Sequence, residues 1–122
     1  MDFDSVGFIG GGRVARIILQ GLQRKDALPR NTVVSDATPE ALRALTAAVP
    51  GVTTLSDDNR KPAAQRLVIL ALHTPLVQQV APEIIDEITP ETVIVSLAPK
   101  LSIDGLSVLL GGPQNIARMI PN

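Results

Sequence analysis

The residues with the clearest chemical purpose are Gly10, Gly11 and Gly12, followed by Arg13, Val14 and Ala15. They fit the pattern G-x-G-x-x-A, directly after an apolar run and at the opening of a segment with helical period. Gly10 permits a sharp turn. Gly12 has no side chain, so the main chain can come close to a pyrophosphate, and Ala15 is small enough for close helix–strand packing. The amides at the start of the helix would then face phosphate oxygens, with the helix dipole assisting. Arg13 could add a charge-assisted contact, or be a solvated side chain.

Other polar residues stand where neighbouring apolar runs end. After the second run come Ser35, Asp36 and Ala37. An acid there can accept hydrogen bonds from an adenosine ribose, which favours NAD. A 2′-phosphate would want cationic or hydroxyl donors; Ser35 could supply one and Ala37 none. The structural alternative for Asp36 is a loop or capping carboxylate. His73 is the only histidine and follows the strongest apolar run, where the ligand sites of open parallel sheets lie. It could bond a nicotinamide ribose or donate a proton near neutral pH; the plainer reading is a loop histidine with a structural hydrogen bond. Asp57 and Asp58 read as a solvated pair, and Lys100 as a surface residue. Ser96 has no histidine–carboxylate signature around it, which argues against a nucleophile. The chain has no cysteine. Disulfides and thiolate chemistry are excluded, and a single histidine excludes clustered-imidazole metal sites.

These residues must be positioned by a repeating alternation of strands and helices. Val6–Ile9 reads as a strand, and Arg13–Gln23 as a helix with Val14, Ile17, Ile18 and Leu22 as its buried stripe. Thr32–Ser35 is a second strand. Thr38 is placed to cap a helix that has Pro39 in its first turn and buries Leu42, Leu45 and Val49. Val52–Leu55 is a short strand. Ser56–Gln65, broken by Pro62, reads as a loop with at most a turn or two of helix. Leu67–Leu72 is apolar on successive residues, as expected of a strand covered on both faces. Leu76–Ile88 reads as a helix interrupted at Pro82. Thr92–Ser96 is a fifth strand, Ser102–Leu110 a helix, and Ile116–Ile120 a sixth strand. The expected fold is α/β: a Rossmann-type, doubly wound, mostly parallel sheet of about six strands with helices on both faces.

Length and composition agree. A chain of 122 residues is one domain's worth, and 45% hydrophobic against 19% charged residues is the balance of a folding chain. The net charge is −1 and the only aromatics are Phe3 and Phe8, so neither phosphate-backbone binding nor base stacking is expected, and nucleic acid is not an expected partner. The start is acidic, unlike a signal peptide, and Leu67–Leu72 is far too short to span a bilayer. A soluble, cytoplasmic protein without a membrane partner is the expectation.

Val6–Gly12, Ser35–Glu40, Ile69–Leu72 and Arg118–Asn122 together resemble the cofactor domain of pyrroline-5-carboxylate reductase, with element order and loop lengths in step through nearly the whole chain. The resemblance implies a reductase that moves hydride from NADPH or NADH to the C=N bond of a cyclic imine in proline biosynthesis. It places the pyrophosphate at Gly10, Gly11, Gly12, Arg13 and Val14. The adenosine end falls at Ser35, Asp36 and Ala37 and at Asn59, which matches a family asparagine near the ribose. The nicotinamide falls by Ala71, Leu72, His73, Ser96 and Ala98. The chain departs from the family in four places: Arg13 stands for an asparagine, Ala37 for a frequent basic residue, His73-Thr74 for Lys-Pro, and Pro99-Lys100 for Ala-Gly. These departures bear on NAD against NADP and on the substrate more than on the fold. Residues 1–122 are expected to be the NAD(P)-binding domain. The family's C-terminal helical domain, which makes the dimer and most of the substrate pocket, would lie beyond them. A homo-oligomer is expected only with that domain, and binding without full turnover is expected of residues 1–122 alone. Alternatives are a dinucleotide-binding sensor or assembly module without turnover, or a related reductase of another imine, a ketone or a deazaflavin.

Overall fold

Aliphatic and β-branched runs bury best when they pair side by side, and here they do so in one sheet. The computed structural model describes residues 3–113 and 115–120. The chain runs β1 (Ser5–Ile9), α1 (Arg13–Arg24), β2 (Asn31–Ser35), α2 (Pro39–Ala48), β3 (Thr53–Leu55), α3 (Arg60–Ala63), β4 (Leu67–Leu70), α4 (Thr74–Ile84), a 3-10 turn (Ile85–Glu87), β5 (Val93–Ser96), α5 (Ile103–Leu109) and β6 (Ile116–Arg118). The strand order is β3-β2-β1-β4-β5-β6, and every pairing is parallel, not merely most of them. Ile9 lies opposite both Ser35 and Leu70, and Leu70 opposite Ser96. The carboxyl ends of the central strands therefore form one level crest.

Alternate side chains fill two cores. On one face Val6, Phe8, Val34 and Ile69 pack with Ala15 and Leu19 of α1 and Leu42 and Leu45 of α2. On the other, Ile9, Val68, Leu70 and Ile94 pack with Ala63, Val77, Ala81, Ile84 and Leu106. Phe8, Leu19, Leu45 and Ile94 are fully buried, each worth about 1.5–3 kcal/mol of transfer free energy. The strand order reverses between β1 and β4, so α1 and α4 leave for opposite faces from adjacent strands. That opening is where an open α/β sheet holds a ligand.

Several expected boundaries shift for identifiable reasons. β4 stops at Leu70, two residues early, although the Ala71 amide still bonds the Ile9 carbonyl at 2.8 Å. α4 starts at Thr74 and not Leu76, because Pro75 occupies the first turn, where a missing N–H costs nothing. It gives way to the 3-10 turn shortly after Pro82. β6 ends at Arg118, short of Ile120. The stripe on α1 is also rotated. Ala15 and Leu19 are buried, Ile18 and Leu22 only half so, while Val14 and Ile17 are exposed. α1 covers β1 and β2, and Val14 and Ile17 look past it. Thr38 precedes α2 as expected, but its side chain makes no capping bond; its own amide bonds Asp36 Oδ1 at 2.8 Å.

The segment Ser56–Gln65 holds the single helical turn α3, within the turn or two expected of it. α3 lies hard against β1, where Gly7 faces the Pro62 main chain and a Cβ would overlap the Pro62 carbonyl oxygen. A glycine inside a strand marks this kind of close approach.

Candidate functional site

The glycine loop is built at the crest by main-chain constraints. Gly10 has φ +103°, which side-chain-bearing residues rarely adopt, and a Cβ there would overlap the Ala71 carbonyl oxygen. Its amide donates to the Ser35 carbonyl at 2.8 Å. Gly11 is buried under Val34 and Leu42, and its amide donates to Asp36 Oδ2 at 2.7 Å. Gly12 is the exposed residue of the three and the N-cap of α1.

No side chain among the described residues caps α1. The first bond at its start runs from the Arg16 amide to the Gly12 carbonyl at 3.0 Å. The amides of Arg13, Val14 and Ala15 have no partner among the described residues, and this twelve-residue helix adds its dipole at the same point. A Cβ at Gly12 would meet none of the described residues within 4 Å. Unpaired amides, a positive helix end and free space over a bare turn fit a diphosphate.

The expected adenosine-side residues are brought together one strand over. The Asp36 carboxylate is half-buried and receives the Gly11 and Thr38 amides on its two oxygens. It is a staple between the glycine loop and the start of α2. Ser35 is buried, and its hydroxyl donates to Asn59 Oδ1 at 2.7 Å; the Asn59 amide nitrogen donates to Glu83 Oε2 on α4 at 2.8 Å. Of the acidic pair, Asp58 caps α3 through the Arg60 and Lys61 amides, and Asp57 is exposed.

Beyond β4 and β5 the crest is apolar. Val14, Ala71, Leu72, His73, Leu97, Pro99 and Ile120 line a cleft of about 280 Å³. His73 is exposed and precedes α4 as its N-cap without a side-chain bond. Ser96 and Ala98 are both buried beneath the crest, where Ser96 Oγ accepts from the Ala98 amide at 3.2 Å. The residues between and after them, Leu97 and Pro99, carry the lining. Sequence reasoning gives Leu97 and Ile120 no site role, and Pro99 stands there only as a departure from the family pattern. The signal was available in the two-residue period, since burying Ser96 and Ala98 on one face presents Leu97 on the other. A larger hollow of about 810 Å³ lies at the opposite end of the strands, among Phe3, Leu22, Leu28 and Arg30, away from the helix start. No group of acids and histidine able to hold a metal occurs among the described residues, and no helix there is long and apolar enough to cross a membrane.

A parallel sheet in this order, a glycine turn leading to an open helix end, and an acid at the end of β2 define an NAD(P)-binding Rossmann domain. Residues 5–100 match the family described as NADP oxidoreductase coenzyme F420-dependent, and the chain belongs to that family. It is 35% identical over 119 residues to pyrroline-5-carboxylate reductase 3 of Xenopus laevis, covering 96% of this chain and 42% of the relative. The figures for the Danio rerio protein of the same name are 30% over 117 residues, 96% and 40%. The structure of a pyrroline-5-carboxylate reductase from Coxiella burnetii superposes with a TM-score of 0.87 at 28% identity, over 100% of this chain and 45% of that one. The chain thus spans less than half the length of these relatives.

Proposed function

We propose that residues 1–122 are the cofactor-holding part of an NAD(P)H-dependent reductase that reduces the C=N bond of a small cyclic imine of the pyrroline-5-carboxylate type. The observation that carries this reading is the uncapped start of α1 behind Gly12, at the opening between β1 and β4. The Gly12, Arg13, Val14 and Ala15 amides hold the diphosphate, with Gly10 and Gly11 keeping the turn in place. Arg13 adds charge at the same end. Asp36 takes the adenosine ribose, with Ser35 and Asn59 bracing the loop beside it. Ala71, Leu72 and His73 border the nicotinamide end, Leu97 and Pro99 shield it from water, and Ser96 and Ala98 hold that wall from beneath.

A bound reduced nicotinamide would supply the hydride. This chain's part is to bind, orient and exclude water; iminium reduction asks no dedicated acid of it. The relatives at 30–35% identity, both named pyrroline-5-carboxylate reductase 3, support the choice of substrate, and a further helical domain would complete the pocket and the dimer. Loss of nicotinamide absorbance with pyrroline-5-carboxylate as acceptor, measured on the full-length reductase, tests the reading. Consumption of NADPH or NADH with this imine supports it. A deazaflavin acceptor, favoured by the family's description, reduced while the imine is untouched would replace it.

A further inference from the structure

We infer that Asp36, together with the commitments of Ser35 and Asn59, selects NAD(H) against NADP(H), although the family's description names NADP. The inference rests on the dinucleotide reading above and deepens it. An ionised carboxylate offers about four acceptor positions. The Gly11 and Thr38 amides, at 2.7 and 2.8 Å, occupy one on each oxygen of Asp36. They fix the carboxylate at the crest and leave acceptor capacity for the two neighbouring hydroxyls of a ribose.

A 2′-phosphate in place of one hydroxyl would bring like charge against this fixed acid, and the hydroxyl and side-chain amide donors beside it are committed elsewhere. The Ser35 hydroxyl gives its proton to Asn59, and the Asn59 amide donates to a second acid, Glu83. Ala37 ends in a methyl group. Arg43 on α2 and Arg60 on α3 each already stand against an acid, Glu40 at 3.2 Å and Glu87 at 3.0 Å, in exposed pairs that lower the local positive charge without locking it. Arg13 stands at the first position of α1, the end that holds the diphosphate in this reading. A fixed like charge a few ångströms away in a partly screened site is worth about tenfold or more in affinity.

The test is calorimetric titration of the full-length protein with NADH and with NADPH, repeated on Asp36→Asn and Ala37→Arg. NADH is expected to bind about tenfold or more tightly than NADPH. Both substitutions should shift the affinity ratio towards NADPH. The ratio is the decisive readout: Asp36 also holds Gly11, so loosening of the loop alone would weaken both cofactors in parallel and leave the ratio unmoved. Equal or tighter binding of NADPH, or an unmoved ratio in both variants, overturns the selection while leaving dinucleotide binding intact. Binding of neither cofactor overturns the dinucleotide reading and the selection with it.

Discussion

Two glycines two residues apart should fail in opposite ways. Replacing Gly12 with alanine adds a methyl group that meets none of the described residues within 4 Å, at φ −81°, which any residue adopts. The cost is that of a poorer N-cap, up to about 1 kcal/mol, or a few degrees of melting temperature for a domain this size. The methyl group occupies the space through which the loop would approach a diphosphate. Losing one charge-assisted amide contact costs about 1.5–3 kcal/mol, a ten- to hundredfold loss of affinity. Gly10→Ala reverses the balance. The positive φ costs about 1–3 kcal/mol, and overlap with the Ala71 carbonyl, which is part of the main chain beside β4, adds about 1–3 more. Against a total stability of about 5–15 kcal/mol, that variant should be severely destabilised. Thermal melts and calorimetric titration with NADH and NADPH measure both halves. The reasoning is refuted if Gly12→Ala binds both cofactors as the parent does, or if Gly10→Ala melts within a degree or two of it.

Other substitutions test the frame around the site. Gly7→Ala should cost about 2–4 kcal/mol in denaturant titration, because α3 must move off β1 to clear the Pro62 carbonyl; an unchanged midpoint would show that α3 does not press on that strand. Thr74 Oγ1 is buried with no hydrogen-bond partner among the described residues, so Thr74→Val should leave stability equal or raise it by about 1 kcal/mol. A fall of that size would show that the hydroxyl has a partner.

The order of elements was legible because the signals are local. Aliphatic runs alternate with helical periods, and the glycine turn sits at one junction. The expected Rossmann-type sheet of six strands is the sheet observed. What escaped was set by tertiary packing. The α1 stripe was read from spacing alone, which includes Val14 and Ile17 because they are apolar. Only the placement of β1 and β2 beneath the helix selects Ala15 and Leu19 instead. Pro62 reads as a break in a loop and lies inside the one-turn α3, and Pro75 sits in the first turn of α4, one residue ahead of the expected start at Leu76. For Asp36 the sequence offered a ribose ligand or a capping carboxylate. The capping bonds are present, and they leave the acid with capacity for the first role. That the Ser35 hydroxyl is committed to Asn59 is a long-range contact that no local pattern announces.

The central claim is that the unpaired amides at the start of α1 receive the diphosphate of a nicotinamide dinucleotide. Amide-resolved NMR of the isotopically labelled chain during titration with NADH observes those groups individually. The account predicts saturable shifts concentrated at Gly12, Arg13, Val14 and Ala15, with smaller ones at Asp36 and His73. Shifts centred on the Phe3–Leu28 hollow at the other end of the sheet, or none at saturating cofactor, would contradict it.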